Sequence, residues 1–282
     1  MEASSAIGRL IASDRGKRGV PSLFRPSFLV DALRLAEGAS KAAVVSGFYV
    51  PSRDSPETDG PGGAVIFARA LARSGREAAI FTDSLCEKAL KACSMAVDGP
   101  EVIRAKCGGD ILAFGPDLLV FIERLGRARD GRYYNMRSED ISDFTPPLDG
   151  AALAGGLKTL AVGDGGNEAG MGVFRSDLAK LLPHYENCLS VIGADVALPV
   201  DVSDWGGYAL AAMLSMKAGR WLGPEEGEVE AMLEALVAAG AVDGVTLKRE
   251  PTVDGFGAEE HARVVRELRK ICFSPALLQG RP

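Results

Sequence analysis

The sequence predicts an α/β fold: a mostly parallel central sheet covered by helices on both faces, forming a single layered α/β/α domain over residues 1–282. Three observations predict it. Short β-branched and aromatic runs alternate with Ala/Leu-rich runs of helical length, the signature of strands joined by crossover helices. The strand-like runs are apolar throughout rather than alternating, as expected of strands buried on both faces. The composition, 47% hydrophobic and 25% charged in 282 residues, is that of a globular chain able to fill a sizeable core.

The elements follow in order. Residues 1–40 read as two helices around a Gly/Arg-rich turn, Arg15 to Gly19, packed on the rest. Lys41–Ser46 (KAAVVS) is the first strand, and after a polar loop Gly63–Arg73 is a helix. Glu77–Asp83 is a strand, and Ser84–Ala96 a helix with Ser84 as its N-cap. Glu101–Lys106, Asp117–Glu123 (DLLVFIE), Lys158–Val162 and Asp195–Val200 are further strands, the last weakened by Pro199. Asp204–Gly219, Glu225–Ala239 and Glu259–Ile271 are helical, the last carrying a stripe of Val264, Val265, Leu268 and Ile271. Thr145–Gly150 (TPPLDG) is the strongest internal break and reads as a loop within one domain.

Charge and composition exclude several classes. A net charge of −6 leaves no basic surplus for a phosphate backbone, so no nucleic-acid partner is expected. Met1–Gly19 has no apolar core of signal-peptide length. The longest apolar stretches, such as Tyr208–Met216, fall short of the ~18 residues of a spanning helix, so no membrane partner is expected. The five cysteines form no C-x-x-C pair and read as reduced thiols, which places the protein in the cytoplasm. The two histidines, His184 and His261, are too far apart in sequence for a His-rich zinc motif.

In parallel sheets, function gathers beyond the carboxyl ends of the strands. Nearly every strand end here carries a carboxylate: Asp83, Glu123, the Gly163–Glu168 turn (GDGGNE) and Asp201 with Asp204. Singly, Asp beside Gly is a turn residue and Asp204 a helix cap. Glu123, ending LLVFI beside Arg124, reads equally as half of a buried ion pair or as a site residue. Together, carboxylates converging on one edge repel unless protonated or bound to a hard cation, and oxygen-only sites suit Mn²⁺ or Mg²⁺.

The GDGGNE turn has no Lys-Ser/Thr after its glycines, so it is not a P-loop. Glu168 stands where a dinucleotide fingerprint requires Gly or Ala. No nucleotide cofactor is therefore expected, and Asp164, Asn167 and Glu168 read as oxygen donors on a tight turn. In the loop 48–63, Pro61 with Gly62 and Gly63 opens a helix whose free N–H groups suit an anion, with Arg53 and Arg124 adding positive charge. The plain alternative is a Pro/Gly helix start.

ETDGPGGA (Glu57–Ala64), TDSLC (Thr82–Cys86), the Glu123-Arg124 pair, GDGGNEAGMG (Gly163–Gly172) and SDWGGYALAA (Ser203–Ala212) occur in this order. With them the sequence resembles the D-glutamate cyclase-like C-terminal domain family, over roughly Asp14 to Arg269, in its stand-alone form. The resemblance implies one of two activities: closure of D-glutamate to 5-oxo-D-proline, or manganese-dependent phosphate-ester hydrolysis.

Residue chemistry and resemblance together give the leading expectation: a divalent-metal-dependent phosphatase acting on a small anionic metabolite. Glu123, Asp164 and Glu168 hold Mn²⁺ or Mg²⁺, with Asn167 beside them. Asp201 or Asp204 acts as general base or further ligand. Arg53, Glu57, Asp59, Gly62, Gly63, Arg124 and Asn167 form the substrate- and anion-binding region. The alternatives are D-glutamate cyclase-type lactam formation and a non-catalytic metabolite-binding module. Homo-oligomerisation is left open.

Overall fold

The computed structural model describes residues 2–225 and 227–274. Its strands are β1 (Lys41–Ser46), β2 (Tyr49–Val50), β3 (Ser55–Pro56), β4 (Glu77–Thr82), β5 (Val102–Arg104), β6 (Leu118–Ile122), β7 (Lys158–Gly163), β8 (Val196–Pro199), β9 (Thr252–Val253) and β10 (Phe256–Gly257). Among the described residues, six of them form one all-parallel sheet in the order β5-β4-β1-β6-β7-β8. β2–β3 and β9–β10 are small antiparallel hairpins. The helices are α1 (Glu2–Ile11), α2 (Pro26–Gly38), α3 (Pro61–Arg73), α4 (Glu87–Met95), α5 (Gly108–Ala113), α6 (Arg175–Leu181), α7 (Ser203–Ala218), α8 (Glu228–Ala239) and α9 (Ala258–Cys272).

The apolar strand runs explain the layering. Along β1, Ala42 and Val44 enter one core and Ala43 and Val45 the other; along β6, Leu118, Val120 and Ile122 oppose Leu119 and Phe121 in the same way. The first core is roofed by α1–α4 and α7–α9, the second by the shorter α5 and α6 with short 3₁₀ segments. α7 is buried on all sides from Ser203 to Ser215, which is why its sequence shows no polar face. Gly207 lets it meet α3 backbone to backbone: a Cβ there would sit 2.4 Å from Gly63 Cα. Pro199 lies on the edge strand β8, where a missing ladder donor is tolerated.

Two helices do flank the Arg15–Gly19 turn, and α1 and α2 pack on α7, with α1 also against α9. One expected cap is corrected. Ser84 does not cap α4; the Asp83 carboxylate does, accepting the N–H groups of Leu85 (2.8 Å) and Cys86 (3.1 Å). Among the described residues no helix is long and apolar enough to cross a membrane.

The strand order places the site. Outward from β1 the chain winds one way through β4 and β5, then returns to β6 on the other side and continues through β7 and β8. The carboxyl ends of β1 and β6 therefore flank the switch point, where the loops diverge and leave a crevice.

Candidate functional site

At that crevice lies a cavity of about 260 Å³. Glu57, Asp59, Glu123, Asp164 and Asp254 bring five carboxylates to its wall, against the guanidinium groups of Arg18 and Arg137. Each arrives by a local device. The chain leaves β1, turns through the β2–β3 hairpin, and returns with the Glu57 N–H donating to Phe48 O (2.8 Å) and the Thr58 N–H to Val242 O (3.0 Å). Asp59 then stands at the start of α3. Glu123 follows β6 in a left-handed backbone conformation (φ 47°), uncommon for a residue with a side chain. Its Oε2 accepts the Ser203 hydroxyl at 2.6 Å.

Asp164 follows β7 on the GDGGNE turn, and Glu168 shapes that turn from within. Its Oε1 accepts the N–H groups of Asp164 (2.9 Å) and Gly165 (2.7 Å), and its Oε2 that of Gly166 (2.6 Å). Gly166 takes φ 93°, a conformation that glycine adopts without strain. Asn167 reaches the wall while its Nδ2 donates to Tyr134 O at 2.9 Å. Asp254 sits at the tip of the β9–β10 hairpin with Gly255, both at positive φ, as a two-residue type I′ turn demands.

Burial and mutual repulsion set the protonation. Glu57, Asp59, Glu123 and Asp254 are all held well above the usual carboxylate range, chiefly by burial, then by neighbours: Asp254 for Glu57, Asp204 for Asp59, Asp164 for Glu123 and Asp254. Glu168 is pushed up to about 7, burial outweighing its three N–H donors. Arg18 counters the cluster, with Nη1 2.5 Å from Asp164 Oδ2 and Nη2 2.9 Å from Asp254 Oδ2.

The carboxylates expected as metal ligands, Glu123, Asp164 and Glu168, offer oxygens all within 4.8 Å of one another, and Asp59, Asp164 and Asp254 form a second such group. Asp164 belongs to both, and its Oδ2 is buried and accepts no hydrogen bond of ordinary geometry. An all-carboxylate donor set fits a hard divalent cation such as Mn²⁺ or Mg²⁺.

Other expected site residues lie elsewhere. Arg53 is exposed on the β2–β3 hairpin and is not part of the wall. Arg124 is buried away from the cavity, donating to Gly47 O (2.9 Å), Pro146 O (2.6 Å) and the Asp83 carboxylate, so its charge is spent on tying loops together. Asp201 anchors the N-terminal segment by accepting the N–H groups of Ser13 and Arg15, each at 2.9 Å. Asp204 lies behind the wall; its Oδ1 accepts the N–H groups of Gly60 (3.0 Å) and Gly63 (2.7 Å). The Gly63 N–H is one of the donors expected to hold an anionic ligand. Gly62 and Gly63 instead permit close packing, since a Cβ on either would strike Asp204. Sequence reasoning missed Arg18, Arg137 and Asp254. The Asp254-Gly255 dipeptide does signal a hairpin, but nothing local says that its tip meets β7.

Fold and site together define a doubly wound α/β protein with an acidic pocket at its switch point. Residues 7–269 match the model of the family described as D-glutamate cyclase-like, C-terminal, and the chain belongs to that family. It is similar to human mitochondrial D-glutamate cyclase, 33% identical over 232 residues, covering 73% of this chain and 37% of the human protein. The chain thus matches little more than a third of that relative's length. A solved structure of an exopolyphosphatase-related protein from Bacteroides fragilis aligns at 8% identity and TM-score 0.45, covering 91% of this chain and 60% of that one. That likeness is too low to bear on fold or function.

Proposed function

We propose that the pocket forms a lactam from a free amino acid with a γ-carboxyl group, converting D-glutamate to 5-oxo-D-proline and water. The observation that carries this reading is the acidic wall set against Arg18 and Arg137, in a chain one-third identical to a D-glutamate cyclase. Ring closure joins the amine nitrogen to the carbon of the γ-carboxyl group and expels that group's hydroxyl as water. The ammonium must lose a proton and the leaving oxygen must gain one. A wall that holds protonated carboxyls beside ion-paired ones suits both transfers. Glu57 and Glu123, whose protonated forms are favoured by burial, are the donors to the leaving oxygen. Asp164, ion-paired with Arg18, supplies negative charge for the substrate ammonium. Arg137, at the rim, faces the α-carboxylate. A divalent cation bound among these carboxylates would offset their repulsion and polarise the γ-carboxyl oxygen.

The phosphatase expectation is less well supported. Its anion-binding half rested on Arg53, Arg124 and the Gly62-Gly63 helix start, and none of these lines the cavity with a free donor. A phosphate ester would place more negative charge against five carboxylates. Incubation with D-glutamate, L-glutamate and a panel of phosphate esters, with and without Mn²⁺, tests the choice. Lactam from D-glutamate, detected by chiral chromatography, is the expected result. Phosphate release without lactam would reinstate the phosphatase, and saturable binding without turnover would leave a metabolite-binding module.

A further inference from the structure

We propose that Arg18 is the resident counter-cation of the pocket, that a divalent metal displaces it from Asp164, and that it thereby sets which cations the site accepts. The inference rests on the pocket being a cation site and is independent of the lactam reaction. One guanidinium bridges Asp164, which belongs to both oxygen clusters, and Asp254, which belongs to one of them. A metal drawing on Asp164 with either cluster meets Arg18 at its own ligand. The contact is poorly made for a permanent ion pair: Asp164 Oδ2 is buried, yet the nearby Nη1 makes no aligned hydrogen bond to it. Arg18 also has a solvent-facing side through which it can swing out. Its side chain is 21% exposed, whereas that of Asp164 is 6% exposed.

The backbone around Arg18 need not move in the exchange. Asp201 fixes Ser13 and Arg15, and Asp14 Oδ1 accepts the Gly19 N–H at 2.8 Å. The segment is a tether of defined reach, and only the side chain beyond it swings. Guanidinium and a divalent ion then compete for the same charge. A divalent ion brings twice the charge and can take oxygens from several carboxylates at once, whereas a monovalent ion does not repay the loss of the arginine.

Calorimetric Mn²⁺ titration of the chelator-treated protein tests this, beside metal-free melting curves. Arg18→Gln should bind Mn²⁺ about tenfold more tightly than wild type, because a like charge has left the site. Its metal-free melting temperature should fall and its Mn²⁺-induced rise should exceed that of wild type. Arg18→Lys, which keeps the charge but loses the two-pronged bridge, should fall between them and serves if Arg18→Gln does not fold. Equal or weaker Mn²⁺ affinity in the folded variants would overturn the role of Arg18 while leaving the metal site standing. No Mn²⁺ binding at millimolar concentration by any of the three proteins would overturn both.

Discussion

Asp59 and Asp204 cap each other's helices. Asp59 Oδ2 accepts the N–H of Ser203 (3.0 Å) and its Oδ1 that of Asp204 (2.9 Å), at the start of α7. Asp204 Oδ1 accepts the N–H groups of Gly60 (3.0 Å) and Gly63 (2.7 Å), at the start of α3. Each helix dipole is met by the other helix's carboxylate. The helix start at Pro61–Gly63 does hold an anion, but the anion is part of the protein. Asp59 also reaches the cavity, so the reciprocal caps couple the position of one wall carboxylate to the packing of α3 on α7.

Asp204→Ala removes the acceptor for two buried donors. The expected loss is about 1–3 kcal/mol, the range for a lost cap or an unsatisfied buried N–H. Asp204→Asn keeps an oxygen for those donors and removes the charge, so its loss should be smaller. Burial pushes the Asp204 carboxyl up to about 7, so the loss in both variants relative to wild type should shrink at pH 8, where wild type must carry that buried charge. Urea unfolding at pH 5.5 and pH 8 measures both. An Asp204→Ala protein as stable as wild type would refute the capping role.

The metal-free protein should lose stability as pH rises from about 4.5 through 7. Asp204 and Glu168 are pushed up to about 7, and Glu57, Asp59, Glu123 and Asp254 well above the carboxylate range, burial being the first cause in each. In the unfolded chain such groups ionise near 4. Between the two values the native state keeps protons that the unfolded state has shed, so the slope is negative. His261 acts the other way: burial lowers it to about 4, so it removes stability as pH falls below about 6.5. One imidazole does not offset six carboxyls. Carboxylates held low by arginine, such as Glu260 at about 2, titrate below this window. Scanning calorimetry in chelator should give a higher melting temperature at pH 5.5 than at pH 8, a gap that Mn²⁺ narrows. A higher melting temperature at pH 8 would contradict it.

Glu168→Gln separates turn-shaping from metal binding. The two oxygens of Glu168 face three N–H donors, so an amide nitrogen in place of either one points a donor at a donor. The expected cost is about 1–3 kcal/mol of metal-free stability, the range for a buried donor left unsatisfied. Mn²⁺ affinity should change less than for Asp164→Asn, since Asp164 belongs to both oxygen groups. Parallel melting curves and Mn²⁺ titrations of the two variants decide, and a larger affinity loss in Glu168→Gln would make Glu168 a ligand first.

The layered fold was legible because its information is local: LLVFI and KAAVVS can be buried only on both faces, and strand ends fall where the apolar runs stop. The acidic character of the switch point was legible for the same reason, since Glu123, Asp164 and Asp59 follow strands or open a helix at that edge. What chain-local reading could not give was partnership across long separations. Asp204 and Arg124 have the chemistry of site residues, but their partners Gly63 and Asp83 lie 141 and 41 positions away and consume them structurally. Arg18 and Asp254 are 236 positions apart and meet only because α1 and α9 pack together beside the crevice.

Gly244→Ala should impair turnover without unfolding the protein. A Cβ on Gly244 would lie 1.6 Å from Glu57 Oε1 and 2.4 Å from its Cδ, so one of the two must move. The backbone at Gly244 is held. Asp243 Oδ1 accepts the N–H groups of Val245 and Thr246, and its Oδ2 accepts the Thr252 hydroxyl and the Gly255 N–H, knotting this loop to the β9–β10 hairpin. Arg137 Nη2 adds a bond to Gly244 O at 3.1 Å. Among the described residues the Glu57 side chain has no such ties, and it gives way. Displacing a carboxyl by an ångström or more costs little stability, about 0.5 kcal/mol or less on the scale of surface changes. The same displacement of a proton donor can cost about 100-fold in rate. For the proposed D-glutamate ring closure, the expected outcome is a near-wild-type melting temperature with a sharp fall in kcat, matched by Glu57→Gln, which removes the proton without moving the side chain. Wild-type kcat in both variants would remove Glu57 from the reaction; wild-type kcat in Gly244→Ala alone would mean that the carboxyl acts from a displaced position.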